Sequence, residues 1–470
     1  MHVASMHFKD RAKVKLHDEG LQHNLRKMRG KFIDKRRASL HEVGDFEALR
    51  DAGKAIRNRA ILDLDVWLEI FEANAAKRGA TVVFAETPAD VNALVLEIAA
   101  RHSVRKIIKS KSMVTEESAL DHAIEAAGLT VVETDLGEYI LQINDYEAPS
   151  HIVGPALHKS KEEVADLFHR KHGTPRKTGV EELCLEARSV LREHYLTADM
   201  GISGGNFLVA ETGSVVLVTN EGNATLATTM PKVHVVISGI EKIVPTLEDA
   251  AALVRLLPRS ATGQSISNYV DVLTGPKGEG EHHGAEHMYF IVVDSNRTKM
   301  LASEVWEALR CIRCGACMNH CPVYQNLGGH AYGWVYPGPI GSILTPMHVG
   351  LEQAQNLPFA STFCNQCASV CPVRIPLPDL LRKLREEAID QQLRPWSERT
   401  ALKAWAWVAS RPGLYAFAVR MGARMLKTMG GSERLIHKLP LAGAGWTEQR
   451  DMPAPAGRTF RDLYRNRKST

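Results

Sequence analysis

The sequence predicts an α/β domain with a mainly parallel, mixed sheet, followed by a cysteine-rich module and a helical C-terminal region. Three observations carry that expectation. Between about 66 and 300, short β-rich runs (ATVVFAE, VRKIIKS, LTVVETDLGEYILQI, KVHVVISG, MYFIVVD) alternate with helical stretches such as PADVNALVLEIAARHS and SKEEVADLFHRKHG, the order that builds a parallel sheet flanked by helices. NFLVAETGSVVLVTNEGN departs from it, because two apolar runs joined around ETGS predict an antiparallel hairpin. Seven of the eight cysteines fall between 311 and 371.

In chain order, residues 1–65 read as a basic helical arm, with apolar Leu21, Leu25, Met28 and Phe32 at three- and four-residue spacing. Residues 1–60 hold fifteen Lys and Arg against eight Asp and Glu, although the net charge of the chain is only +4. Such an arm can dock on a partner, on anionic lipid or on nucleic acid; a solvated helical extension is the plainer expectation. No helix-turn-helix, zinc-finger or aromatic-interleaved signature supports nucleic acid. The α/β domain follows at 66–300, the cysteine module at 301–395, and a helical region with a basic tail at 396–470. The composition change near 300 predicts that the α/β domain folds independently of the cysteines. The Gly- and Pro-rich insertion containing LGGHAYGWVYPGPIGSILTP is expected to be an ordered loop with aromatic anchors. The start shows no apolar run of signal-peptide length, and AWAWVASRPGLYAFAV is broken by Arg411 and Pro412. Neither export nor a membrane span is expected.

CIRCGACMNHCP at 311–322 places thiols at i, i+3 and i+6, then a CP. Three evenly spaced thiolates wrap one face of an iron–sulfur cluster, and in two-cluster ferredoxins the fourth cysteine of each run ligates the other cluster. This assigns Cys311, Cys314, Cys317 and Cys371 to a first cluster and Cys321, Cys364 and Cys367 to a second. Structural zinc sites use separated pairs of ligands instead. The second run, STFCNQCASVCP, registers on the first through its CP and puts Ser361 where Cys311 stands. An ordinary loop serine is the expectation there. One corner of the second cluster is then held by another ligand, with His320 and His330 as candidates, or left open. Both clusters are expected as 4Fe-4S, the second converting to 3Fe-4S on oxidation. No GxGxxG, GxxxxGK[ST] or CxxCH is present, so two-electron chemistry is expected on a partner.

SKSMVTEE, ETDLGEYILQ, PSHIVGPALH, GISGGNFLVAETGSVVLVTNEGN and GAEHMYFIVVDSNRT, followed by CIRCGACMNHCPVY, GGHAYGWVYPGPIGSIL and CNQCASVCPVRIPL, resemble the lactate-utilisation iron–sulfur proteins of the LutB type over roughly 30–470. The resemblance implies a lactate-utilisation (LUD) domain of the NagB/RpiA/CoA-transferase-like fold, a mainly helical dicluster ferredoxin domain and a family-specific C-terminal region. It implies a cytoplasmic electron-transfer subunit; with no recognisable hydride acceptor, the chain is expected to be inactive alone. Its complex with two sister subunits, a CCG-motif protein and a second LUD protein, would oxidise L-lactate to pyruvate. A glycolate-like oxidase subunit and a redox-sensing module that binds a small carboxylate are the competing readings. Peripheral membrane contact is compatible with the basic arm.

Weaker candidates sit in the α/β domain. Lys109 and Lys111 could meet a substrate carboxylate, although lysines at a strand end are usually solvated. Asn206, Glu211, Glu221 and Asn223 flank the hairpin, where turn chemistry alone explains Asn and Gly. His282, His283 and His287 read as a polar surface loop rather than a metal site, and Cys184 as a packed apolar residue.

Overall fold

The computed structural model describes residues 3–448 and 450–467, without the side chains at 28, 29, 441, 442 and 466. Met28 is thus outside the described side chains. Ten strands within residues 1–390 build two sheets: β1 (Thr81–Ala85), β2 (Lys106–Lys109), β3 (Thr130–Glu133), β4 (Met200–Ser203), β5 (Phe207–Val209), β6 (Ser214–Thr219), β7 (Val233–Gly239), β8 (Ile243–Val244), β9 (Tyr269–Leu273) and β10 (His287–Val293). One sheet runs β1-β10-β7-β4-β2-β3 and every pairing in it is parallel. Its central β7 is buried along its whole length, as expected of a strand covered on both faces.

The predicted hairpin is real, with Phe207 opposite Val216, but it lies in a second sheet ordered β8-β5-β6-β9. Within residues 1–390 the antiparallel pairs are confined to that sheet; a further short antiparallel pair, Leu435–Ile436 with Met452–Pro453, lies in the C-terminal unit.

Helix Pro88–Arg101 opens with a Thr87–Asp90 capping box and a proline in its first turn, and Lys161–His172 opens with a Ser160–Glu163 box. The run expected as one long strand, LTVVETDLGEYILQI, splits. Only Thr130–Glu133 is extended; the Asp135 carboxylate then accepts the Glu138 N–H and starts helix Leu136–Ile143. The Gly/Pro insertion also departs from expectation. Gly338–Val349 is a helix, with Pro339 in the first turn, where the missing N–H has no partner to lose, and Pro346 inside it. Gly338 through Pro346 are all buried, so packing rather than propensity holds it. Tyr332, Trp334 and Tyr336 are the expected buried anchors.

The N-terminal helices are not a solvated extension. Arg36, Arg50 and Arg57 are buried. Arg57 donates to the carbonyls of Ile243 at 2.9 Å, Leu309 at 3.0 Å and Arg310 at 3.3 Å, and to that of Glu241. Arg50 reaches the Cys371 carbonyl at 2.8 Å and Arg36 the Val370 carbonyl at 3.2 Å. A guanidinium carries five donors in a fixed fork, which suits it to several main-chain carbonyls converging from different segments.

One hydrophobic core joins Leu21, Ile56 and Leu253 to Ile312, Tyr324 and Leu380, so packing runs without a break across residue 300. Residues Gln391–Thr470 form a separate compact unit. Its helices Trp396–Ala409 and Pro412–Met429 bury no residue fully, and Leu414, Phe417, Met421, Met425 and Met429 recur as an exposed stripe. Among the described residues no helix is long and apolar enough to cross a membrane.

The shared core changes the expectation for truncation. A fragment ending at residue 298 loses two of the four carbonyls that hold Arg57 and the cysteine-module side of the core that includes Leu253 and Leu256, and it should bind a hydrophobic dye and melt broadly. A sharp transition at the temperature of the full chain would show that the α/β domain is independent after all.

Candidate redox centre and adjoining cavity

The two cysteine runs repeat in backbone as well as in spacing. Arg313 and Phe363 have φ of 59° and 54°, and Gly315 and Asn365 have φ of 74° and 64°, at matched positions. Each run then enters a short helix, Ala316–Asn319 or Gln366–Val370. Left-handed residues this close together turn successive amides inward. The second copy keeps that turn although Ser361 replaces the thiol.

The structure gathers the thiols into two adjoining groups. Burial raises Cys314, with Cys371 and Cys311 as its charged neighbours; burial raises Cys371 to about 11, with Cys311 nearby. Burial raises Cys321 next to Cys364, and raises Cys367 to about 12 with Cys321 and Cys364 adjacent. Cys317 feels Cys311, Cys314 and Cys367, and joins the groups.

Backbone amides oppose this upward push. Arg313 N–H donates to Cys311 Sγ at 3.4 Å and Ile375 N–H to Cys371 Sγ at 3.3 Å; amides of Ala316, Ile340 and Ala368 serve Cys314, Cys317 and Cys367. Among the described residues no three cysteine sulfurs lie within 4.8 Å of one another, whereas thiolates about 2.3 Å from a single zinc stand roughly 3.8 Å apart. Widely set thiols facing amides fit a multi-iron cluster.

Cys364 is exposed while the Cys311 group is buried. Ser361 Oγ accepts the Phe363 N–H at 3.1 Å. His320 Nδ1 lies 2.9 Å from the Ala316 carbonyl and His330 Nε2 lies 2.7 Å from the Ala148 carbonyl.

A cavity of about 300 Å³ adjoins the first group, with Cys314 in its wall. It lies beyond the carboxyl ends of β2, β4 and β7, where open parallel sheets hold ligands. Lys111, Asn206, Glu221 and Asn223 line it, as do Asp135, Glu241, Lys242, Arg313 and Tyr336, which the sequence patterns did not single out. Arg313 stands inside the first cysteine motif, and Glu241 and Lys242 follow a buried parallel strand; both positions were available as signals.

The floor is a buried ion network. Glu241 accepts from Arg297 at 2.6 Å and Arg313 at 3.2 Å, and Arg297 also holds Glu117 at 2.7 Å, which Tyr336 bonds. Burial works against the Glu241 carboxylate, yet Arg297, Lys242 and Arg313 hold it well below its usual range. Burial, then Arg313, pushes Lys242 down to about 7; burial, then Asp135, pushes Glu221 up to about 7.

The other candidates go elsewhere. Lys109 is buried against Glu133, with Asp121 at 3.3 Å, in a different pocket. Glu211 caps Leu247 N at 3.0 Å at the hairpin tip, the end opposite Asn206 and Glu221. His282 and His283 are exposed, and His287 packs on His102 with ring centroids 4.3 Å apart. Cys184 is exposed instead of packed, because helix Val180–Thr197 turns Leu183, Ala187 and Leu191 inward. Glu147, His158 and His330 come together, but Lys159 and His158 already pair with Glu147.

The chain matches three family profiles: the LUD domain over residues 68–293, a 4Fe-4S dicluster domain over 307–375, and the C-terminal part of lactate utilisation protein B over 382–469. It is 43% identical to "Lactate utilization protein B" of Geobacillus sp. (strain WCH70) over 466 residues, covering 99% of this chain and 98% of the relative. It is 44% identical to the protein of that name from Lysinibacillus sphaericus (strain C3-41) over 468 residues, with the same coverage of both chains, 99% and 98%. The chain belongs to the lactate utilization protein B family. Its cysteine module is accordingly a two-cluster iron–sulfur domain, and the α/β region is the family's LUD domain.

Replacing Glu241 with Gln would leave Arg313 without its buried carboxylate and Arg297 with Glu117 alone. Breaking such a pair costs ~3–5 kcal/mol, so Glu241→Gln should lower the urea midpoint of the cluster-loaded protein accordingly. A loss under about 1 kcal/mol, the range of an exposed pair, would show that the network does not hold the cavity floor.

Proposed function

We propose that this protein is the iron–sulfur electron-transfer subunit of a complex that oxidises L-lactate to pyruvate. The carrying observation is the run of thiols in two adjoining groups, from the buried Cys311 group through Cys317 and Cys367 to exposed Cys364, in a chain of the lactate utilization protein B family. In this reading Cys311, Cys314, Cys317 and Cys371 hold one 4Fe-4S cluster, and Cys321, Cys364 and Cys367 hold the other. When bound, the clusters supply single-electron transfer. The chain's own residues set the conditions for it. Backbone amides stabilise the thiolates, the apolar walls of Ile152, Ile340 and Ile375 exclude water from the first group, and Cys364, the one exposed thiol of the second group, offers an exit.

Oxidation of lactate releases two electrons and two protons, so an acceptor on a sister subunit, a CCG-motif protein or a second LUD protein, completes the reaction. The exposed stripe from Leu414 to Met429 supports such a contact. Seven free, clustered thiols suit the reducing cytoplasm.

The complex purified without air should lose visible cluster absorbance when L-lactate is added. Bleaching by glycolate but not lactate would reassign the substrate, and no response to any 2-hydroxy acid would favour a sensor.

Three thiolates leave the second cluster one strong ligand short, since the Ser361 hydroxyl, which accepts the Phe363 N–H, binds iron only as an alkoxide and is a much poorer ligand than a thiolate. Air should lower iron from about eight to about seven per chain, leaving a 3Fe-4S form, and Ser361→Cys should prevent the loss. Two clusters equally stable to air in the unmodified protein would overturn the ligand assignment.

A further inference from the structure

We propose that the cavity beyond the carboxyl ends of β2, β4 and β7 binds a small monoanionic carboxylate of the 2-hydroxy or 2-oxo acid class, seated against Cys314. The proposal deepens the functional reading and rests on it for the role of Cys314.

Its first support is a set of cationic-type donors without a carboxylate partner. Neither Lys111 nor Lys242 makes an ion pair within 4.0 Å among the described residues; Lys111 Nζ donates to the Ile152 carbonyl and Lys242 Nζ to that of Cys311 at 3.5 Å. Arg313 gives Nη2 to Glu241 at 3.2 Å, while its buried Nη1 has no partner. The third acid of the lining, Glu241, is already matched by Arg297 from outside the cavity at 2.6 Å.

The second support is a set of oriented amides. Asn206 accepts the Val218 N–H through Oδ1 at 2.9 Å, and Asn223 accepts from Thr219 Oγ1 through Oδ1 at 2.9 Å, which leaves both Nδ2 groups to a ligand. Donors of this kind suit a carboxylate and an adjacent oxo or hydroxyl oxygen.

Two acids set the charge and the class. Asp135 and Glu221 share the wall and would repel a dianion such as phosphate, whereas Glu221 can accept the hydroxyl proton of a 2-hydroxy acid in a hydrogen bond. The site is large enough for a few-carbon acid with water.

The test is calorimetric titration of the intact, cluster-loaded chain with L-lactate, pyruvate, acetate and inorganic phosphate. The electron paramagnetic resonance of the reduced protein is recorded at each saturation. Lactate or pyruvate should bind more tightly than acetate or phosphate and should shift the signal of one cluster. Asn206→Asp, which keeps the acceptor and replaces the donor with charge, and Lys111→Met should each weaken binding at least tenfold, with cluster absorbance and melting temperature unchanged. The proposal is overturned if the unmodified chain binds neither acid, if phosphate binds more tightly, or if both variants bind as well as the parent. Should lactate bleach the complex while this chain binds no carboxylate, the site falls and the functional reading stands. Should the chain bind lactate or pyruvate here while no 2-hydroxy acid reduces the complex, the site stands and the functional reading falls.

Discussion

Glu241 is the constraint on which the rest of the structure depends. It follows the fully buried β7 and is itself buried, in contact with Arg297 and Arg313. A carboxylate taken out of water carries a desolvation cost of several kcal/mol, recovered only while its partners stay in place. Arg313 belongs to the first cysteine loop and Arg297 to the segment leading into it, so one charge pins the thiols to the end of a central strand. Arg57 ties the same junction with neutral acceptors, spanning carbonyls from Glu241 and Ile243 to Leu309 and Arg310. Charged groups of this junction, Glu241, Lys242 and Arg313, line the cavity beside apolar Ile152, Ile237 and Leu257.

How much of this was legible in the sequence follows from the range of the interactions. Strands β1, β2, β7 and β10 and the capped helices were readable because their signals are local: apolar runs, capping boxes and spacing of cysteines. Helix Leu136–Ile143 was missed because its residues favour a strand until the Asp135 cap is weighed. Helix Gly338–Val349 was missed because its composition opposes a helix that only burial sustains. The N-terminal arginines looked like a solvated charge run because their acceptors are main-chain carbonyls about 180 to 335 positions away, and carbonyls leave no trace in a sequence. Within the cavity Lys111, Asn206, Glu221 and Asn223 were legible as groups at strand ends and turns, whereas Lys242 and Arg313 become neighbours only when β7 meets the cysteine loop.

The contrast between the two cysteine runs turns on one atom. Positive φ at Arg313 and Phe363, and again at Gly315 and Asn365, shows that the turn is the same in both runs and survives the change from thiol to hydroxyl at its first position. Geometry therefore does not require a cysteine at 361. What differs is the setting: Cys311 is buried beside Lys242 and Arg57, while Ser361 is only half-buried and Cys364 is exposed. A group of buried thiols beside Lys242 and Arg57 and a group with one exposed thiol, Cys364, have different electrostatic surroundings, and such surroundings tune the reduction potential of an iron–sulfur cluster. The asymmetry orients the two groups: Cys314 of the first faces the cavity, Cys364 of the second faces solvent, and Cys317 lies beside Cys367 between them.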